Sequence, residues 1–303
     1  MKTDPDLLEA LRKDLKTIAL AMTKQEVRFL VDSYYQMQEN RKRGYNQERA
    51  ASIAGEPNRI LTYLATQAED LENLAKRALD YWSAAHPMGI WVRKIPGIGP
   101  VTSAGLLAHT DMNECDTVGK LYGFSGQDPT ETWEKGEERP WSAKFRTLVW
   151  KIGESFVKVS GLKDDIYGQY YIQRKQYEIG RNERGELADQ AATMLKKAPK
   201  HKQRATYKTG KLPDGHIHSR AKRWAVKLFL AHWWEAYYAY EYNTPPPKPW
   251  SIAHGGHVKY LPPPFPPPKK DSYEGLPTCP NPQKRSKKKK AALTSEPNVD
   301  VQP

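Results

Sequence analysis

The amino-acid sequence predicts a mainly α-helical protein, and three features of the chain lead to that prediction. A capping box at residues 23–26 opens a run of apolar side chains at helical spacing. After a short break containing glycine and proline, a second such run covers residues 61–82. Beyond residue 242 the composition changes to proline and lysine, which predicts a tail without a core of its own.

Composition and charge narrow the class of protein. The 303 residues include 48 Lys and Arg against 35 Asp and Glu, a net charge of +13, so the expected partner is a polyanion. No apolar run is long enough to cross a membrane, and the first residues lack the apolar core of a secretion signal. Two cysteines, Cys115 and Cys279, are too few for a disulfide framework or a thiolate zinc site. We therefore expect a cytoplasmic protein.

Residues 1–88 are predicted to form a helical hairpin. In the capping box, the Thr23 hydroxyl and the Glu26 carboxylate each bond the backbone of the other residue. Apolar residues then recur in steps of three and four up to the break at residues 55–58, and again after it. Two long amphipathic helices joined by four residues indicate an antiparallel pair or coiled-coil arm. Its expected role is packing or homodimerisation.

Residues 95–107 predict a short turn that enters a helix of small and apolar residues, as in the second half of a helix-hairpin-helix. Gly97 and Gly99 tolerate positive φ and carry no Cβ atom, so a phosphate can approach the backbone amides. Pro100 suits the first helical turn, where no intrahelical amide donor is needed. The predicted phosphate site comprises Gly97, Ile98, Gly99, Val101 and Thr102. The alternative is a tight turn in which the glycines only let two helices approach.

A second candidate contact with nucleic acid is the basic block at residues 196–227. It holds eleven Lys and Arg residues against one acid, Asp214, whereas a solvated helix face usually mixes both signs. Tyr207 and Trp224 lie among these charges, where an aromatic ring either stacks on bases or belongs to the core. The residues predicted to contact phosphates are Lys196, Lys197, Lys202, Arg204, Lys208, Lys211, Arg220, Lys222 and Arg223.

The segment 243–303 carries 15 of the chain's 24 prolines. Its proline-rich stretches at 244–250 and 261–268 cannot be helical, so an extended, mostly disordered tail is expected. A lysine-rich run at residues 284–290 repels itself and stays solvated. Ten Lys and Arg against four acids indicate either a solubilising tail or a basic arm that follows phosphates.

Several segments, in order, resemble the transposase domain of the DEDD-type insertion-sequence transposases and Piv/MooV invertases. The glycine turn and its helix, residues 95–108, are similar to the opening of that domain, and Asp111 fits an acidic position that follows. Residues 121–129 resemble a Tyr-Ala-Gly-Leu-x-Pro segment, and residues 143–148 resemble the basic helix after it. The closing helix of the family has a counterpart at residues 221–228.

The resemblance implies a helical transposase-type domain over residues 89–242 that acts on DNA in transposition or recombination, in a bacterial or phage-type nucleoid. The family also carries a RuvC-like nuclease domain with four metal-binding carboxylates, whereas residues 1–88 here read as helices. The family's serine is missing after Pro129, and the nearby serines are out of place. These are Ser125, Ser142 and Ser155. We therefore expect DNA binding without independent catalysis, and a nuclease supplied by another chain.

Other chemistries leave weaker signals. Five acids between residues 111 and 131 fit either a magnesium site or a solvated loop. Two histidine pairs fit either a zinc site or contacts with phosphate and solvent. The five acids are Asp111, Glu114, Asp116, Asp128 and Glu131. The two histidine pairs are His216/His218 and His254/His257. Nucleotide-binding loops and the serine-hydrolase elbow are missing, so neither a metal nor a cofactor is expected.

Two alternative functions remain. A protein adaptor would use the hairpin to dimerise and the proline-rich tail as a ligand for aromatic-lined grooves. An RNA-binding protein of a mobile element would share the same electrostatics, because contacts with the phosphate backbone look alike from composition.

Overall fold

The computed structural model describes residues 13–197, 202–256 and 260–269, and in these segments the chain is helical and contains no strand. The predicted fold class is confirmed. In chain order the helices are α1 (Leu15–Ala21), α2 (Lys24–Ile53), α3 (Arg59–Ala84), α4 (Pro87–Arg93), α5 (Pro100–His109), α6 (Val118–Phe124), α7 (Ala143–Val159), α8 (Tyr167–Glu183), α9 (Ala188–Lys197), α10 (Arg204–Lys208), α11 (Asp214–Tyr242) and α12 (Trp250–Ala253).

Helices α2 and α3 form the predicted hairpin. The Glu26 amide donates to the Thr23 hydroxyl at 3.2 Å, and the Thr23 amide donates to the Glu26 carboxylate at 2.7 Å, which completes the capping box. The two helices cross closely at Gly44, because a Cβ atom there would lie 3.0 Å from the Ala65 Cα. The base of the hairpin is not a separate arm, since Val27 and Leu79 are fully buried in the main core.

Farther from the core, polar contacts join α2 to α3 beside the Gly44–Ala65 crossing, and large apolar side chains lie on the outer surface. The buried Glu72 carboxylate accepts from Arg41 at 2.6 Å, and the Tyr45 hydroxyl donates to Glu69 at 2.5 Å. Burial opposes ionisation of Glu72, but hydrogen bonds from Arg41 and Gln38 outweigh it and lower the carboxyl pKa. Large apolar side chains lie on the outer surface at Ile53, Ile60, Tyr63, Leu64 and Leu71.

The main core forms around α11, which packs against α4, α6, α7 and α8. Trp233 is fully buried, and its indole N–H donates to the Thr110 hydroxyl at 3.0 Å. The neighbouring Trp234 donates to the Cys115 carbonyl at 2.8 Å. Both tryptophans therefore bury large apolar area without leaving the indole N–H unpaired.

A smaller lobe, here called the lysine lobe (residues 187–197 and 202–217), has its own apolar cluster. Leu187, Tyr207 and Ile217 are buried in it. The Asn182 side chain, at the end of α8, bonds both the amide and the carbonyl of Leu212, at 2.8 and 2.9 Å. The lobe is thus fixed to the ends of α8 and α11.

The chain after α11 differs in part from the expected solvated tail. Helix α11 ends at Tyr242 and Asn243 adopts a left-handed conformation, which agrees with the predicted boundary. Residues 260–269 are extended as expected, yet they dock on the core: the Trp91 indole N–H donates to the Pro266 carbonyl at 3.0 Å, and Phe265 packs against the core. The lysine-rich run at 284–290 lies outside the described residues.

The docked segment, residues 260–269, is also held by two polar groups of α11. The Tyr260 hydroxyl donates to the Glu235 carboxylate at 2.5 Å, where burial raises the carboxyl pKa. Burial lowers the pKa of His232 to about 4, so its ring is neutral. Nε2 donates to the Leu261 carbonyl at 2.9 Å, and Nδ1 accepts from the Tyr167 hydroxyl at 2.8 Å. Proline content alone therefore does not keep this stretch in solvent.

In the part of the chain that the structure describes, no helix combines the length and the apolar character needed to span a bilayer.

Candidate nucleic-acid interface

The glycine turn packs against α7 at Gly97. Gly97 has a φ of +93°, which favours glycine, and its carbonyl accepts from the Ser155 hydroxyl at 2.6 Å. A Cβ atom at this position would lie 3.2 to 3.3 Å from Ser155, Phe156 and Val159. These contacts favour the alternative interpretation for Gly97, a tight turn that lets two structural elements approach.

Gly99 has a different environment. Its φ of −97° suits any residue, and a Cβ atom there would meet no atom within 4 Å. The Gly99 amide already donates to the Thr102 hydroxyl at 3.0 Å, and the Ile98 amide donates to the Ile95 carbonyl at 3.0 Å. Of the predicted phosphate site, the amides of Val101 and Thr102 remain at the start of α5.

Two cations lie beside this helix start. Pro100 borders a surface groove of about 360 Å³ whose wall on α3 includes Lys76 and Arg77. Asp80 also lines the groove, and its carboxylate forms an ion pair with Arg93. An anion at the first turn of α5 would therefore meet two basic side chains as well as the amides.

The structure divides the predicted basic block into two groups. The first lies on the lysine lobe, where the Arg204 guanidinium donates to the Leu195 carbonyl at 3.3 Å. The exposed side chains of this group are Lys196, Lys197, Lys202, Lys208 and Lys211. Lys200 lies outside the described residues.

The second group lies on α11, where two of the three predicted contacts are engaged in ion pairs. Arg220 bonds the buried Glu178 carboxylate at 3.1 Å, and the Lys222 ammonium pairs with Glu154 on α7. For Trp224 the sequence allowed two roles, stacking on bases or packing in the core. In the structure it packs against a small apolar cluster around Tyr171. Arg220 and Lys222 thus hold α11 to its neighbours.

Arg223 belongs to a group of three cations, here called the cationic cluster (Arg146, Arg223 and Lys227). Partial burial and the charges of Arg146 and Arg220 lower the pKa of Arg223. Burial also lowers the pKa of Lys227. The negative charge of Asp128 raises this pKa, and the positive charge of Arg223 lowers it further. Within the described segments, none of the three forms an ion pair with a carboxylate. The cluster concentrates positive charge, and Asp128 is the carboxylate that acts on it, through Lys227, without forming an ion pair.

Arg146 is shared with a second feature, here called the tryptophan groove. This groove has a volume of about 620 Å³ and lies over the start of α7. Trp150 is 55% exposed, although tryptophan usually buries most of its surface. The lining residues are Trp133, Arg139, Trp141, Ala143, Arg146, Thr147 and Trp150.

Each indole ring in the groove has a cation over it. Arg139 lies 5.1 Å from the ring centre of Trp133, and Arg146 lies 4.4 Å from that of Trp141. The Lys222 ammonium lies 5.0 Å from the ring of Trp150. Sequence reasoning missed this site, although tryptophan and arginine alternate through residues 133–150 and that alternation was the available signal.

The three serines near the family motif have structural roles. The Ser125 hydroxyl donates to the Tyr122 carbonyl at 3.1 Å, and Ser155 bonds Gly97 as described. Ser142 caps α7 by accepting from the Phe145 amide at 3.3 Å. None of these hydroxyls is paired with a base.

The acids and histidines do not gather into a site. Asp111 and Asp128 cap local turns, and Asp116 pairs with Lys120 at 2.7 Å. His216 and His218 each contact a different tyrosine, through Nδ1 at 3.3 and 2.8 Å. His254 is exposed and His257 lies outside the described residues. Across the described segments, no three of these groups come together as metal ligands would.

Comparison of the chain with protein-family models, with curated proteins and with solved structures finds no match. The resemblance to the transposase domain therefore rests on the sequence segments alone.

Proposed function

We propose that this chain is a nucleic-acid-binding protein, with duplex DNA as its first target and RNA as the alternative, and that it acts in DNA transposition or recombination as the sequence resemblance implies. The observation that carries the proposal is the cationic cluster, in which Arg223 lies close enough to Arg146 and to Lys227 for their charges to interact, and none of the three forms an ion pair within the described residues. The exposed lysines of the lysine lobe would extend this surface along a duplex.

Electrostatics explain why a polyanion fits this surface. Burial lowers the pKa of Arg223 and of Lys227 most, and the neighbouring cations lower them further, so placing these charges together weakens the folded state unless negative charge is added. Phosphates would supply that charge and would release their condensed counterions on binding. The amides of Val101 and Thr102, with Lys76 and Arg77 beside them, offer a further phosphate contact.

We further propose that strand cleavage requires a nuclease on another chain. The serines near the family motif are used in capping and turn contacts, and Asp111, Asp116 and Asp128 are used in caps and ion pairs. A nucleophile would need an adjacent base, and paired carboxylates would need to share a metal.

The test is salt-titrated binding of the full chain to a short duplex and to a structured RNA, measured by fluorescence anisotropy. Reversing both charges in Arg223→Glu/Lys227→Glu should weaken duplex binding at least about 30-fold and make the slope of log K against log salt shallower by about two. The matched control is Arg49→Glu/Arg59→Glu, which removes the same charge at exposed sites at the tip of the hairpin.

Equal losses in the two double variants would show that only net charge matters and would contradict the proposed surface. Binding by the wild type that is weak and independent of salt would contradict nucleic-acid binding altogether. Nicking of supercoiled plasmid by the purified chain in magnesium would contradict the proposal that a nuclease acts in trans.

A second candidate function is self-association through the hairpin. Apolar side chains of α3 lie outside while polar contacts join α2 to α3, so an outer surface of the hairpin is left for a second copy. Ile60 is 68% exposed and Leu64 is 56% exposed.

We expect Ile60→Lys/Leu64→Lys to lower the molar mass that light scattering measures for the full chain, from that of a dimer to that of a monomer. A wild type that is monomeric at all concentrations would contradict this role.

A further inference from the structure

The tryptophan groove combines two chemical properties that together specify its ligand. Three indole rings supply flat apolar faces, and Trp150 holds more than half of its surface in solvent. Arg139 and Arg146 supply positive charge within the same groove. A ligand that fits both features is planar, aromatic and negatively charged.

The charge of the groove excludes the other common ligand of clustered aromatic rings. Aromatic cages bind quaternary ammonium groups, whose positive charge is attracted by the ring faces. Here every ring already has a protein cation within 5.1 Å of its centre. Among the described residues that line the groove there is no carboxylate, so a cationic peptide would be repelled.

Two of the three rings, Trp133 and Trp141, are held in place before a ligand binds. The Trp133 indole N–H donates to the Glu137 carbonyl at 2.8 Å. Trp141 packs over the turn at Gly126, whose φ of +65° brings the backbone close enough that an added Cβ atom would lie 3.1 Å from the indole and 2.8 Å from Arg146. Because the rings are ordered in advance, stacking a base on them costs little side-chain entropy.

We propose that the tryptophan groove binds unpaired nucleotides of a nucleic-acid strand, with bases stacked on the indole rings and phosphates on Arg139 and Arg146. This inference rests on the proposed function and gives it a preference for exposed bases. In a duplex each base is covered on both faces by its neighbours, whereas an unpaired base has a free face. Arg146 also belongs to the cationic cluster, so a strand leaving the groove would meet that surface next.

The experiment compares three ligands of equal length with the full chain: oligothymidylate, an abasic strand with the same phosphates, and a duplex. The wild type should bind oligothymidylate at least about tenfold more tightly than the abasic strand, because only the former can stack. Trp133→Ala/Trp150→Ala removes two of the three rings, so it should lose most of that difference and should bind the duplex within about twofold of the wild type. Oligouridylate should behave as oligothymidylate does, because both strands offer unpaired bases that can stack.

The matched control is Tyr81→Ala/Tyr177→Ala, which removes two exposed rings outside the groove, on α3 and α8, and it should bind all ligands as the wild type does. If the wild type binds the abasic strand and oligothymidylate equally, the groove does not stack bases, although the proposed function stands. If the tryptophan variant loses duplex and single-strand binding to the same extent, selectivity for unpaired bases is wrong. If the wild type binds no nucleic acid, the proposed function fails and this inference fails with it.

Discussion

Replacing Glu178 by Gln should lower the free energy of unfolding by about 3–5 kcal/mol, because it removes the buried carboxylate that pairs with Arg174 and Arg220 and contacts Arg181. The Glu178 side chain is 1% exposed and lies 2.5 Å from Arg174, 3.1 Å from Arg220 and 3.6 Å from Arg181. Glutamine keeps the shape but leaves Arg174 and Arg220 without their carboxylate partner, while Arg181 keeps its ion pair with Glu186. Urea denaturation at neutral pH, with Glu183→Gln on the exposed side of the same helix as control, measures the loss.

The effect of this substitution should depend on pH in one direction. Burial opposes ionisation of Glu178, but hydrogen bonds from Arg220 and Arg174 outweigh it, so the folded pKa lies below the usual 4.5. A depressed carboxyl pKa contributes stability that is present above the unfolded pKa and is lost as pH falls through the folded one. The gap between wild type and variant should therefore be full at pH 7 and shrink below about pH 4.5. A constant gap across that range would contradict the ion-pair explanation.

Gly97→Val should destabilise the fold by about 3 kcal/mol, whereas Gly99→Val should cost less than about 1 kcal/mol. Valine at Gly97 would adopt an unfavourable positive φ and press on Ser155, Phe156 and Val159, while the space around Gly99 is open. Gly99→Val would, however, place a side chain beside the first amides of α5. We expect it to weaken duplex binding about fivefold at wild-type stability.

The two glycine variants separate the structural role of the turn from phosphate binding. Thermal melts report the first role, and anisotropy with a duplex reports the second. A Gly97→Val protein as stable as the wild type would contradict the packing argument. A stable Gly99→Val protein with unchanged affinity would reduce the turn to a connection between helices.

Local signals in the sequence predicted the local parts of the fold. The capping box at Thr23 and Glu26 and the Gly-Pro break after Ile53 are short-range features, and the hairpin follows from them. The end of α11 at Tyr242 was predicted equally well, because the proline-rich stretch that begins just after it cannot continue a helix. These elements require no knowledge of distant contacts.

The sequence could not show which Lys and Arg side chains of the basic block form ion pairs within the fold. Arg220 and Lys222 look identical in sequence to Arg223, yet their partners Glu178 and Glu154 come from other helices. The tryptophan groove likewise depends on a loop and on α7 meeting above the turn at Gly126. Such pairings are set by tertiary packing, so composition can locate a basic segment but cannot say which charges stay available.

The contact between Trp91 and the docked segment has a consequence for the order of events during synthesis. The indole N–H of Trp91 bonds the Phe265 carbonyl at a separation of 174 residues, and that of Trp233 bonds Thr110 across 123 residues. A ribosome adding about 5–20 residues per second needs roughly 10–35 s to cover the longer interval. Until then the hairpin and α5 lack the docked segment, and for most of the interval they also lack α11, so the apolar surface that these later elements cover stays exposed to solvent. The main core therefore closes late, and the partly synthesised chain exposes apolar surface that the folded protein buries.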